Sequence, residues 1–192
     1  LGVALELVPY DTPGVLADAV LNNAWDIGLI GAEPARAEHI HFTSAYVEIE
    51  ATYLVPPGSA IDDIAAVDRP GARIAVAARS AYDLWLQRNI RHATLVHADG
   101  FEATFDVFRR EGLEALACLR PRLLSDAEQW PGSRILPGRF TAVQQAIGTP
   151  RRNTRAAQFL QQFVAEAIDS GQVQGLIDRH GVRGLSVAKR TA

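Results

Sequence analysis

Apolar positions along the chain alternate between short runs and helical repeats. Val3–Val8 reads as a strand and Tyr10–Gly14 as a turn. Val15, Leu16, Ala19 and Val20 recur at helical spacing, and Asn22-Asn23 ends that helix. After Asp26, Ile27–Ile30 is a short apolar run closed by Gly31, a buried-strand signal that places a strand at Asp26–Ile30. The strand–helix–strand order predicts a parallel sheet in the first part of the chain. Val47–Val55 is an extended, β-branched stretch ending at Pro56-Pro57-Gly58. Ile61, Ile64, Ala65 and Val67 predict a short helix.

The pattern then repeats. Arg73–Ala77, Thr94–Val96 and Leu113–Cys118 read as strands. Between them, Ser80-Ala81-Tyr82-Asp83 is a capping-box pattern that starts one helix, and Phe101, Phe105 and Phe108 mark another. Arg134–Leu136 and Phe140–Ile147 are further strands. A long helix starts near Asn153, its N-cap. Ala156, Phe159, Leu160, Phe163, Val164, Ala167 and Ile168 share one face of it. Val173, Leu176 and Ile177 form a terminal helix before Gly181. The fold class is α/β.

Composition narrows the function classes. With 192 residues, 48% hydrophobic and 21% charged, at a mean hydropathy of +0.01, the chain is long enough for one or two cores. A formal net charge of −3 carries no basic footprint for nucleic acid. Nothing approaches the run of about 18 apolar residues that a membrane span needs. Cys118 is the one cysteine, so no intramolecular disulfide forms. The chain carries no methionine and is read as a processed or truncated product. His39, His41, His92, His97 and His180 show no metal-ligand spacing with Cys118, and no nucleotide fingerprint is present. No cofactor or metal is expected.

The stretch from Trp25 to Tyr53 carries the strongest functional signal. Pro34 opens a helical turn just after the strand that ends at Gly31, and Arg36 sits in that turn. Ligands of open α/β sheets bind outside the carboxyl ends of strands, and an arginine fork matches a carboxylate there. Asp26, Arg36, Phe42-Thr43-Ser44 and Tyr46 together resemble the type II periplasmic solute-binding proteins, in particular the polar amino-acid-binding branch (substrate-binding protein family 3). Ala45 stands where that family has a proline, and Glu33-Pro34 where it has a Ser/Thr pair.

The resemblance implies two Rossmann-like lobes joined by a two-strand hinge. Residues 1–52 and 143–192 would form the first lobe and 53–142 the second. The first lobe would lack the strand and helix with which the family opens. Arg36 inherits the grip on a ligand carboxylate. Arg79, Ser80 and Tyr82 occupy the helix start that completes this grip, and Tyr10 is the aromatic nearest the family's stacking position. Relatives place an Asp for the ligand ammonium where this chain has Leu119-Arg120. Glu33 would then supply the missing negative charge. Arg36, Arg79 and Arg120 around one cleft would favour a di-acid.

The function implied is periplasmic capture of a small anionic or zwitterionic solute by hinge closure and its delivery to the membrane permease of an ABC importer. No chemistry, nucleic acid or membrane insertion is involved. Two alternatives stand beside it. One is a cyclohexadienyl-dehydratase-like enzyme, with Glu33 and His39 or His41 as an acid/base pair. The other is the effector-sensing domain of a LysR-type regulator.

Overall fold

The computed structural model describes residues 3–189. Its elements are α1 (Pro13–Ala19), β1 (Gly28–Gly31), β2 (Ile40–Phe42), β3 (Val47–Val55), β4 (Arg73–Ala77), α2 (Ala81–Asn89), β5 (Thr94–Ala98), α3 (Phe101–Arg110), β6 (Ala115–Leu119), α4 (Arg120–Gln129), β7 (Arg134–Ile135), β8 (Thr141–Pro150), α5 (Thr154–Asp169), α6 (Gln172–His180) and β9 (Leu185–Val187). The strands form one mixed sheet ordered β1-β8-β3-β6-β4-β5, with β2 on β8 and both β7 and β9 on β3.

Two long strands carry the chain between the lobes. Residues 47–51 of β3 pair antiparallel with β8, and residues 51–54 pair antiparallel with β6. Likewise β8 meets β3 through residues 141–145 and β1 through 145–148. Continuous backbone ladders thus run through both lobes, and the hinge is made of paired strands. The second lobe is the parallel part. There β4 pairs parallel with β5 and β6, and α2 and α3 supply the crossovers such pairing requires.

Three expected elements differ. Residues 3–10 form no strand, and Leu5 is 82% exposed. A β pattern needs a partner edge to satisfy its backbone groups, and this segment pairs with none of the described strands. Among the described residues the parallel unit expected from it and β1 is therefore absent, and β1 pairs antiparallel with β8. Thr12-Pro13-Gly14 starts α1 instead of closing a turn, Thr12 Oγ1 accepting from the Val15 N–H at 3.2 Å. The helix expected over Ile61–Val67 is a run of turns. Ser59 Oγ takes the Ile61 N–H and Asp63 Oδ1 takes that of Ala66, bonds that compete with helix formation.

Burial is unequal between the lobes. The second holds one continuous core around Leu54, Ile74, Val76, Leu86, Phe108 and Leu116. The first holds two small clusters on opposite faces of its sheet. Val20, Trp25 and Ile40 pack on the α1 side, where Trp25 Nε1 donates to the Leu16 carbonyl at 2.9 Å. Ile147, Leu160 and Val164 pack on the α5 side. Leu29 lies opposite Ile147 in the ladder, hence on the α5 face, and is 60% exposed. Phe159 and Phe163 of α5 are nearly half exposed.

Candidate functional site

The site is built where the turn after β1 meets the loop between β4 and α2. Arg36, 7% exposed, donates from Nη1 to the Gly31 carbonyl at 2.8 Å and from Nη2 to the Arg79 carbonyl at 2.8 Å. One guanidinium therefore spans both lobes. Among the described residues no carboxylate lies within ion-pair distance of it, and burial holds its pKa below the usual arginine range. The charge of Glu33 works against that shift and that of Arg79 adds to it.

Arg79 is shaped by the helix that follows. Ser80 caps α2, its Oγ accepting from the Asp83 N–H at 3.1 Å. The return bond of the capping box goes one residue further back. Asp83 Oδ2 accepts from the Arg79 N–H at 2.7 Å, and Arg79 takes a left-handed φ of 61°. Its side chain then turns to the first lobe and pairs its two terminal guanidinium nitrogens with the two oxygens of Asp18 on α1. That hydrogen bond raises the Arg79 pKa and lowers that of Asp18. Gly14, one helical turn before Asp18, leaves the room: a Cβ there would stand 3.0 Å from that of Arg79.

A helix start leaves four N–H groups open. In α2, that of Asp83 goes to Ser80 Oγ and that of Leu84 to the Ser80 carbonyl. Those of Ala81 and Tyr82 meet no acceptor among the described residues. Gly31 lies against the same point, since a Cβ on it would come within 3.1 Å of the Ala81 Cβ and 3.8 Å of Arg36 Nη1. A helix N-terminus and a buried arginine thus stand on one glycine wall.

The other expected residues are spread more widely. Glu33 sits in the same turn as Arg36, but its carboxylate accepts from Arg88 of α2 at 2.8 Å, a second ion pair between the lobes. Tyr82 points away from the cleft into the second lobe's core, its hydroxyl 3.5 Å from Cys118 Sγ, and burial pushes its pKa up. Arg120 is held at the crossing strands by Glu50 of β3 and the Gly138 carbonyl. Tyr10 packs against the Val20–Trp25–Ile40 cluster. Of the three arginines that would favour a di-acid, Arg79 is paired with Asp18 and Arg120 with Glu50. Of the groups in the acid/base alternative, Glu33 is paired with Arg88, and His39 lies 4.0 Å from Glu38.

Asp18, Arg88 and Gly14 are the participants that sequence reasoning missed. Nothing local marks them, since their partners lie far along the chain. The Phe42-Thr43-Ser44 motif has a supporting part. Thr43 Oγ1 accepts from the Ile147 N–H at 3.1 Å, and Gln161 of α5 clamps Ser44 by two bonds. Among the described residues no group of three or more His, Cys, Asp or Glu is placed to hold a metal.

The fold is that of the type II periplasmic binding proteins. A putative binding component of an ABC transporter from Wolinella succinogenes, complexed with lysine, superposes with a TM-score of 0.78 at 17% identity, covering 93% of this chain and 78% of that one. The substrate-binding protein of an amino acid ABC transporter gives 0.77 at 17% identity, covering 93% and 80%. The GluR0 ligand-binding core from Nostoc punctiforme, in complex with L-glutamate, gives 0.75 at 20% identity, covering 93% and 83%. No protein-family model and no curated protein sequence matches the chain.

Proposed function

We propose that this chain captures a small carboxylate-bearing solute in the cleft between its lobes, by hinge closure, and delivers it to the permease of an ABC importer at the periplasmic face of a membrane. The observation that carries the reading is Arg36. A buried guanidinium with only carbonyl partners retains a charge that an anion would stabilise. The free N–H groups of Ala81 and Tyr82 stand beside it, across the lobe boundary, so a carboxylate bound there favours the closed form. Ligands of opposite charge in the two ligand-bound neighbours are consistent with a shared carboxylate grip and differing remainders.

A thermal-shift screen of amino acids, dicarboxylates and simple monocarboxylic acids tests this. A true ligand at about a hundred times its Kd adds roughly 2.7 kcal/mol and raises the melting temperature. Absence of any shift across all carboxylates, at concentrations where chloride controls are also flat, overturns the reading.

A further inference from the structure

Beside Arg36 lies a partly open cavity of about 200 Å³ between α1, the 35–40 turn and α2. Its apolar walls are Ala17, Leu21, Ile40 and Leu84, its polar lining is Asp18, Arg79, His39 and Arg36, and Arg36 is the one arginine in it not held by a carboxylate. The volume lies below the roughly 300 Å³ at which pockets for drug-sized molecules begin. A dry apolar cavity of about 150 Å³ can hold a six-carbon ring. The room therefore suits a carboxylate on an apolar body of a few carbons.

Charge narrows the class further. Asp18 is engaged by Arg79 through both oxygens, and Glu33 by Arg88, so an incoming ammonium would have to break an existing pair. A second carboxylate would gain only the half-exposed His39 side chain, against apolar walls and the charge of Asp18. We infer that this cavity is the ligand site and that its ligand is a short, apolar monocarboxylate without an α-amino group, its carboxylate on Arg36 and its alkyl chain among Ala17, Leu21, Ile40 and Leu84. The inference rests on the carboxylate-binding reading of Arg36 and goes beyond it by naming the class and the cavity.

Titration calorimetry on the full chain with butyrate, 2-aminobutyrate and succinate decides it. Butyrate binds most tightly, by about tenfold or more over each of the others, the scale set by leaving one polar group unpaired on burial. Ala17→Phe fills the cavity and abolishes butyrate binding without touching Arg36. Leu21→Trp, at a largely exposed position on the rim, does the same if the first variant folds poorly. Arg36→Gln abolishes it as well. Binding of 2-aminobutyrate or succinate in preference to butyrate, or undiminished butyrate binding in a folded cavity-filling variant, overturns the cavity assignment while leaving carboxylate capture in place. No binding of any of the three, together with a flat thermal-shift screen, overturns both.

Discussion

Arg36 Nη2 donates to the carbonyl oxygen of Arg79 at 2.8 Å, across 43 residues of chain and from one lobe to the other. The bond makes the lobe contact depend on the residue to which we assign the carboxylate grip. On the proposed function a ligand carboxylate would bind the same guanidinium that bridges the lobes, and binding and lobe position would be coupled through one side chain.

Arg36→Ala is expected to remove solute binding, at a cost of about 2–5 kcal/mol for losing one partner of a buried charged hydrogen-bonded pair. Arg36→Lys restores only part, since an ammonium lacks the planar fork. Calorimetry gives the affinities and circular dichroism checks that the fold persists. Alanine-variant affinity near that of the wild type would remove Arg36 from the site.

Gly31→Ala narrows the cleft wall. Its Cβ would stand 2.7 Å from Val143 Cγ1 and 3.1 Å from the Ala81 Cβ, too close without a shift of both lobes. Overpacking of this kind costs about 1–3 kcal/mol. Chemical denaturation measures that loss. The same variant should weaken ligand binding, because the wall moves toward Arg36.

Much of this arrangement was legible in the sequence and part was not, for physical reasons. Strands β3, β4 and β8 and helix α5 follow from patterns that coincide with what their neighbours need. Val3–Val8 has an equally good local pattern yet forms no strand, because backbone pairing is a property of two segments and periodicity describes one. Ile61 and Val67 are buried without the helix expected there, through turns that Ser59 and Asp63 hold. At the site, Arg36 and the Ser80 cap could be read from local motifs. The partner of Arg79 lies 61 residues away on α1, and no spacing rule reaches that far.

Cys118 should be inert in the native protein. It is buried on β6 against the Tyr82 hydroxyl, and burial pushes its thiol pKa up to about 12, so almost no thiolate exists at neutral pH. A disulfide reagent should label no thiol per chain under native conditions and one in denaturant. Rapid native labelling would mean that the second lobe's core opens readily.

The first lobe leaves apolar surface uncovered at Leu29 on the edge strand and at Phe159 and Phe163 on α5. An environment-sensitive dye should bind the wild type, and Phe159→Gln with Phe163→Gln should reduce its fluorescence. Stability should change by only about 0.5 kcal/mol, as for surface substitutions that break no packing. A large loss of stability would show that these rings pack inward in solution.

The Asp18–Arg79 pair should govern how the lobes sit far more than how stable the protein is. Both side chains are more than half exposed, so the pair contributes about 0–1 kcal/mol to folding. Its position between the lobes gives it leverage that a pair within one lobe lacks. The Arg79 hydrogen bond depresses the Asp18 pKa below its ordinary value. The pair's contribution is therefore complete above the unfolded-state value of about 4 and is lost as pH falls through the lower folded-state value. At neutral pH Asp18→Asn mimics that loss without protonating other carboxylates. Small-angle scattering should show a larger radius of gyration for Asp18→Asn than for the wild type at pH 7. The wild type should approach the variant only as pH falls well below about 4, and high salt should shrink the difference between them by screening the exposed pair. An unchanged radius in Asp18→Asn would assign closure to Arg36 and to the Glu33–Arg88 pair alone.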